Sequence, residues 1–558
     1  MHQPWYRESI DGQFHLPWVY LHALKDYADM ASHLEAHPKL QCVVNFTPVL
    51  LEQIEDYAVQ CKHWLETGEA FSDPLLNYLS GVTPIPDDAK GREQLIKVCL
   101  RANATQMIHP YPGFNDLLKT ANIKDDHSHF DSRHLSYLNQ QFFYDLLTWY
   151  HIAWLGYSVK QLPVVQGLIK KGKFFTLEDR TQLIRVFEQV MERLIGRYRH
   201  LADRDQVELA MTPYAHPIMP LLIDFKSMHD ALPEAIAPDS PAYPGGHDRA
   251  AWHMEYGIQV FEKYFGRRPK GIWLSEGAVS KEAVKLLDQF DIKWTASGEG
   301  VWNNSSYLSG LDVNDPEIRR NLFSCNALDK TDTCMFFRDD GLSDLIGFEY
   351  QSWNADDAVA DFVNHVNNIA AFLDDSEEDH VISVILDGEN AWEYYPDNGF
   401  HFLDKLFKTL SESKEVPTCT LADATDTCSS VRLPKLCAGS WVYGSFSTWI
   451  GEQDKNLGWD LLVAAKQAYD DNIDQLSQDE QHVAGLQLAV CEGSDWFWWF
   501  GDYNPSDSVR DFDSLYRLQL QRLYRMLKLD IPDSLYEPIS EGGGDAENAG
   551  TMRRGHDG

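Results

Sequence analysis

The chain has 558 residues and a formal net charge of −37, from 85 acidic against 48 basic residues. So acidic a surface repels phosphate backbones and anionic lipid, which argues against nucleic-acid and membrane partners and leaves neutral ligands such as sugars. With 44% hydrophobic residues the chain can bury a large core, and its length suits about three domains or a long α/β barrel with additions.

In chain order, residues 1–12 (MHQPWYRESIDG) carry no basic or apolar leader segment, and no run approaches the ~18 apolar residues of a membrane helix. Nine scattered cysteines without a CxxC pair argue against a disulfide framework or a zinc site, so a reducing, cytoplasmic setting is expected. His2-Gln3-Pro4 reads as the turn after a strand, and that strand is expected to be mostly missing ahead of Met1. Strands are predicted at Val43–Pro48, Val207–Tyr214, Gly271–Glu276, Ile292–Gly298, Thr333–Asp340 and Val381–Asp387. Several are apolar nearly throughout and end in polar residues, the pattern of buried parallel strands with chemistry at their C-terminal ends. Helical periodicity fills a long insertion at about 57–204, for example Ser136–Ala153 and Leu177–Arg199. The expected organisation is an α/β barrel domain over 1–416 and a C-terminal helical domain over 417–539, with helices at Leu457–Tyr469, Gln478–Val490 and Ser514–Leu527. The Gly-, Asp- and Asn-rich stretch 540–558 is expected to be a disordered tail.

Two strand ends carry carboxylates. In Gly271-Ile-Trp-Leu-Ser-Glu276-Gly, a glutamate at the end of a buried strand is held rigidly and partly desolvated, as a nucleophile or general base requires. The plainer alternative is a cap for the helix near Ser280. In Val381-Ile-Ser-Val-Ile-Leu-Asp387-Gly-Glu389-Asn390-Ala-Trp392, an apolar run ends in two carboxylates, an amide and a ring. Asp387 is expected to point into the mouth, with Glu389 orienting a neighbour or meeting a hydroxyl; a turn stabilised by Asp and Asn is the plain alternative. A carboxylate on each side of a scissile bond suits glycoside hydrolysis. The 17 tryptophans fit that chemistry, because indoles stack on sugar rings, although the ordinary place for any one of them is the core.

Five separated segments together resemble glycoside hydrolase family 57, which includes α-amylases, amylopullulanases, 4-α-glucanotransferases and glycogen branching enzymes. They are His2-Gln3-Pro4, Glu208 to Pro217, Trp273-Leu-Ser-Glu276, Leu386-Asp387-Gly-Glu389-Asn390, and Trp441 to Trp449-Ile-Gly-Glu452. Gly493-Ser-Asp495-Trp496 is a further family-like element, and WLSEGAVS, DGENAWEYY and GSDWFWW look most like amylopullulanase-type members. The resemblance implies a (β/α)7 barrel, an incomplete relative of the eight-stranded one, followed by helices, and a retaining mechanism on α-1,4-glucans without cofactor or metal. Glu276 matches the family's nucleophile and Asp387 its general acid/base, with carboxyl groups ~5–5.5 Å apart. His2, Glu208, His216, Trp273, Glu389, Trp392, Trp441, Trp449, Asp495 and Trp496 are the implied substrate contacts. By itself His216 reads as a structural hydrogen bonder, Trp441–Glu452 as a barrel–helix interface, and Asp495-Trp496 as a packing contact. Ser275 stands where the family often has proline. A metal-dependent deacetylase or zinc α-mannosidase is disfavoured, since no HxxxH lies beside a strand-end Asp. A glucan-binding protein without activity would not need both carboxylates, and no glycine-rich phosphate loop suggests a nucleotide-sugar enzyme.

Overall fold

The computed structural model describes residues 1–123, 135–374 and 378–555. Among them six strands are regular: β1 Cys42–Phe46, β2 Val207–Met211, β3 Trp294–Gly298, β4 Cys325–Leu328, β5 Cys334–Arg338 and β6 Ser430–Leu433. β1 and β2 run parallel, with Cys42 opposite Val207 and Phe46 opposite Met211. Single parallel bridges carry the series on, from Met211 to Ile272 and from Gly271 to Trp294. β3 pairs parallel with β5, and a further parallel bridge joins Arg338 to Ser383. On the other side of β1, the Met1 ammonium donates to the Asn45 carbonyl at 2.8 Å, and Thr47 N–H donates to the Met1 carbonyl at 3.1 Å. Every residue of β2, β3 and β5 is buried, as strands covered on both faces require.

Two expected strands, Gly271–Glu276 and Val381–Asp387, form only isolated bridges. Their last residues leave the ladder and turn. Two short strands were not anticipated. β4 lies antiparallel to β5 through Asn326 and Met335, and β6 lies parallel to β4. Cys325 and Cys334, the first residues of β4 and β5 and diagonal neighbours across the Asn326–Met335 pair, are joined as a disulfide with Cα atoms 5.4 Å apart. A close pair nine residues apart carries no CxxC signal, so spacing alone did not reveal it.

Helix α1, Pro48–Thr67, opens with proline in its first turn and stops at Gly68 in the left-handed region, φ 76°. Helix α2, Leu177–Asp203, opens on a capping box between Thr176 and Asp179 and packs along α1. The C-terminal helices are α3 Gln453–Asn472, α4 Gln478–Cys491 and α5 Ser506–Met526. One apolar core holds Trp149 of the insertion, Ile272 and Trp302 of the sheet region, and Trp459, Leu488 and Tyr516 of these last helices. Each such buried side chain contributes roughly 1.5–3 kcal/mol, against about 0–1 kcal/mol for an exposed ion pair. Packing therefore holds the C-terminal helices on the sheet. None of the described helices is long and apolar enough to cross a membrane.

Where a disordered tail is expected, the described residues 540–555 are hydrogen-bonded to the rest of the chain. Ser540 Oγ accepts from Gly501 N–H at 2.9 Å, and Gly543 and Gly544 donate to the Asn504 carbonyl at 2.9 and 3.1 Å. The Gly550 carbonyl accepts from Trp498 Nε1 at 2.8 Å. Composition measures what a segment can bury by itself; here the partners are supplied by the rest of the chain.

Candidate active site

The run from Gly271 is tied to β2 and β3: Trp273 N–H donates to the Met211 carbonyl at 3.0 Å, and Ile272 N–H to the Trp294 carbonyl at 3.0 Å. After Leu274 the chain enters a short 3-10 turn, Ser275–Gly277, in which Glu276 has φ 58° and ψ 27°. A left-handed glutamate is strained, and such strain persists only where the surroundings impose it. Here the Glu276 carbonyl accepts from Trp441 N–H at 3.1 Å, and its Oε2 accepts from Trp441 Nε1 at 2.9 Å. Glycine is required next to it. Gly277 also has positive φ, and a Cβ there would lie 2.9 Å from the Trp273 ring. At Gly298, the end of β3, a Cβ would lie 2.6 Å from the Trp441 backbone, so this glycine admits the Trp441 segment to the strand ends.

Asp387 follows the bridge at Ser383. Its Oδ2 accepts from Asn390 Nδ2 at 3.1 Å. Arg338, at the end of β5, pairs with Asp340 at 3.0 Å and with Asp344, and its guanidinium lies 5.0 Å from the Trp441 ring centre. Trp273 meets Trp441 edge-on, with centroids 5.1 Å apart.

A second group stands beside the pair. His2 Nε2 lies 2.8 Å from both carboxylate oxygens of Asp495, and its ring stacks on His216 at 3.5 Å. His216, itself in the left-handed region at φ 61°, has Nδ1 2.7 Å from Ser494 Oγ. Its carbonyl accepts from Ser494 N–H at 2.9 Å. Glu389 does not face the open mouth. Its carboxylate accepts from His2 N–H at 3.1 and 3.3 Å and from Tyr27 OH at 3.3 Å, so it holds His2 in place. The loop bearing Ser494 and Asp495 is anchored by buried Glu492, which accepts from Tyr243 OH, Arg249 and His253. Burial opposes that charge, but Arg249 and His253 outweigh it and hold Glu492 well below the usual carboxylate range. Among the described residues, His2, His216 and Asp495 are the one group whose ligand atoms all lie close enough, within 4.8 Å, to hold a metal ion.

Burial first, and the negative charge of Asp387 second, raise the Glu276 carboxyl well above its ordinary range; the Trp441 N–H opposes them. Burial likewise raises Asp387, against the Asn390 amide, the Met1 ammonium and Arg338. The two carboxyls titrate as a pair and keep a proton to higher pH than separate carboxylates do. Burial also pushes His216 well below its ordinary value, which leaves its ring neutral. Two carboxyls that share a proton supply one acid and one base to a displacement. The directions favour the proton on Glu276, the reverse of the roles the resemblance implies, so the assignment of nucleophile and acid rests on the resemblance and not on these shifts.

A pH prediction follows from the Trp441 bond. The N–H favours ionised Glu276, so Trp441→Phe raises the carboxyl further. A nucleophile must be ionised, and the acidic limb of kcat/KM is expected to move to higher pH. A hydrogen bond to a charged group is worth about 1.5–3 kcal/mol, or roughly one to two pH units. A kcat/KM profile of both forms reads the shift; an unmoved acidic limb would show that Trp441 does not tune the nucleophile.

Besides Glu389, four of the implied substrate contacts are occupied by, or buried among, other parts of the chain. Glu208 sits near the start of β2, and both its oxygens are taken, by Trp294 Nε1 at 2.7 Å and Ala422 N–H at 2.8 Å. It braces the N-terminal side of the sheet. Trp392 is 3% exposed and packs against Tyr395. Trp449 is fully buried behind Trp498, and Trp496 donates Nε1 to the Val490 carbonyl in the core. The plain core reading holds for these three indoles. The structure adds Arg338, Asn390, Ser494 and Trp498. Trp498 was legible: in the short helix Asp495–Trp499 it lies three residues after Asp495, on the same face. Arg338 ends a predicted strand but carried no role by itself.

A buried carboxyl pair where parallel runs end, walled by indoles and flanked by a His–Asp group, defines a glycoside-active α/β enzyme. The chain belongs to glycosyl hydrolase family 57, whose family model matches residues 1–436. A curated relative is the 1,4-alpha-glucan branching enzyme TK1436 of Thermococcus kodakarensis, 23% identical over 164 residues, which are 25% of this chain. The match spans about a fifth, 21%, of that enzyme's length. Among solved structures, the GH57-type branching enzyme of Pyrococcus horikoshii superposes with a TM-score of 0.57 at 15% identity, over 98% of this chain and 97% of that one. The α-amylase AmyC of Thermotoga maritima superposes with a TM-score of 0.55 at 13% identity, over 94% of this chain and 91% of that one. These likenesses establish a shared fold.

Proposed function

We propose that this chain cleaves α-1,4 bonds in starch, glycogen or maltodextrin with retention of configuration. The observation that carries the reading is the meeting of Glu276 and Asp387. They leave two different parallel runs, both buried; Glu276 accepts from Trp441 Nε1 and Asp387 from Asn390 Nδ2, and the charge of Asp387 bears on Glu276. Glu276 attacks the anomeric carbon and forms a glycosyl ester, while Asp387 gives its proton to the departing glycosidic oxygen. Asp387 then takes a proton from water, the resulting hydroxide attacks the same carbon, and Glu276 departs as carboxylate. Trp273, Trp441 and Trp498 offer ring faces to the sugars, and His2, His216 and Asp495 offer polar groups to hydroxyls. The (β/α)7 closure and the division into 1–416 and 417–539 belong to the same reading.

A second reading replaces water with a glucan hydroxyl. It is supported by the activity of the relatives, since TK1436 and the Pyrococcus protein are branching enzymes. Product analysis on maltoheptaose decides between the two. Hydrolysis is expected to yield shorter maltodextrins only. Ladders longer than seven units mean transfer, and new α-1,6 links mean branching. No change in maltoheptaose or longer maltodextrins would count against the whole reading.

A further inference from the structure

The segment Glu547–Gly555 takes no part in the chemistry above, yet it lies in the mouth. Met552 and Arg553 line a small cavity of about 30 Å³ together with Asp387, Trp441, Arg338 and Trp498. The site's own polar groups hold the segment there. Asn390 Nδ2, the donor to Asp387, also donates to the Thr551 carbonyl at 3.3 Å. Trp498 Nε1 donates to the Gly550 carbonyl at 2.8 Å. Tyr443 N–H, two residues beyond Trp441, donates to the Gly555 carbonyl at 3.1 Å. Gly555 N–H donates to Asp344 at 2.9 Å, the carboxylate paired with Arg338. The Arg553 guanidinium covers the rings of Trp498 and Tyr503, 4.8 and 4.5 Å from their centres.

A sugar bound beside Asp387 needs groups of these same kinds: ring faces to stack on, and amide and indole N–H groups for its hydroxyls. The leaving or accepting sugar must also sit against Asp387, which is where Met552 and Arg553 stand. We propose that residues 547–555 are an intramolecular strap that occupies the sugar groove on the Asp387 side and is displaced when a long glucan binds. The proposal rests on the reading of the site as an α-glucan site.

The hold is suited to displacement. Met552 is the one large apolar side chain in the segment. The pairs of Arg554 with Glu349 and Glu547, at 2.9 and 2.8 Å, are solvent-exposed and weaken with salt. Peptide and glucan therefore compete, and the apparent affinity for glucan is reduced by the fraction of molecules whose groove is free.

The test compares the full chain with Arg553→Ala/Arg554→Ala and, independently, with a form lacking 547–558. Each release is expected to raise kcat/KM on maltoheptaose by roughly 3- to 10-fold. In a Glu276→Gln background, each is expected to tighten maltoheptaose binding by the same factor. In the full chain, maltoheptaose is expected to speed hydrogen exchange at Gly550–Gly555. Equal or lower kcat/KM after release, with turnover intact, overturns the strap and leaves the function standing; a fall would make the segment a wall of the groove instead. Neither turnover nor binding of maltoheptaose in any form overturns the function, and the strap with it.

Discussion

Glu276→Gln is expected to lower kcat/KM on maltodextrin by about 10⁴-fold or more, with the fold and sugar affinity preserved. The exchange is nearly isosteric. The amide oxygen still accepts from Trp441 Nε1, so the left-handed turn at Glu276 keeps its partner. What disappears is the charge that attacks the anomeric carbon. The variant also tests the energetics of the pair. The folded-state pKa of Glu276 is raised, so the wild-type protein loses stability as pH climbs from the unfolded value, about 4.3, through the folded one. Glutamine carries no such penalty. The melting temperature of the variant is therefore expected to exceed wild type at neutral pH, and the gap to close below about pH 4. Wild-type turnover in this variant would remove Glu276 from the mechanism. A smaller residue adds a stereochemical check. With Glu276→Ala, azide entering from the vacated face is expected to yield a β-glycosyl azide, a product that wild-type double displacement does not form.

Asp387→Asn is expected to cost about 10²–10⁴-fold on maltodextrin, and much less on substrates with a strongly acidic leaving group. Asparagine keeps an oxygen for Asn390 Nδ2 to bond, but it cannot pass a proton to the glycosidic oxygen. A leaving group that departs unprotonated does not need that proton in the first step. Rapid formation and slow breakdown of the glycosyl ester is then the expected signature, seen as a burst. Equal losses on both substrate types would give Asp387 a purely electrostatic role. Together with Glu276→Gln, this separates the two carboxyls that burial makes titrate as one unit.

Much of the site was legible along the chain, because two different periodicities leave local marks. A buried parallel strand is an apolar run, and the residue that ends it is exposed to the mouth by the geometry of the strand. That logic singled out Glu276 and Asp387 as candidates, and the resemblance to the family attached His2, His216 and Asp495 to them. It failed where the neighbouring chain decides the side chain's surroundings. Glu208 is a carboxylate on a strand like the others, but it lies near the first residue of β2 rather than the last, and Trp294 and Ala422 saturate it. Trp392, Trp449 and Trp496 have the composition of sugar platforms and the burial of core residues. An indole serves equally well in either place, so its identity carries no information about which one it occupies.

The sequence by itself determined the acidic, sugar-compatible surface, the alternation of apolar runs with amphipathic helices, and the two strand-end carboxylates with their family order. These are properties of single residues and of spacing within one element. The tertiary structure alone decided that Trp441 grips Glu276 by two bonds, that Glu389 serves His2, and that the segment 547–555 lies against Asp387. Each of these joins parts of the chain more than 150 residues apart, from 161 between Asn390 and Thr551 to 387 between His2 and Glu389. Contacts of that reach depend on how whole layers pack and which backbone groups remain unpaired after packing. No local pattern of residues encodes that quantity.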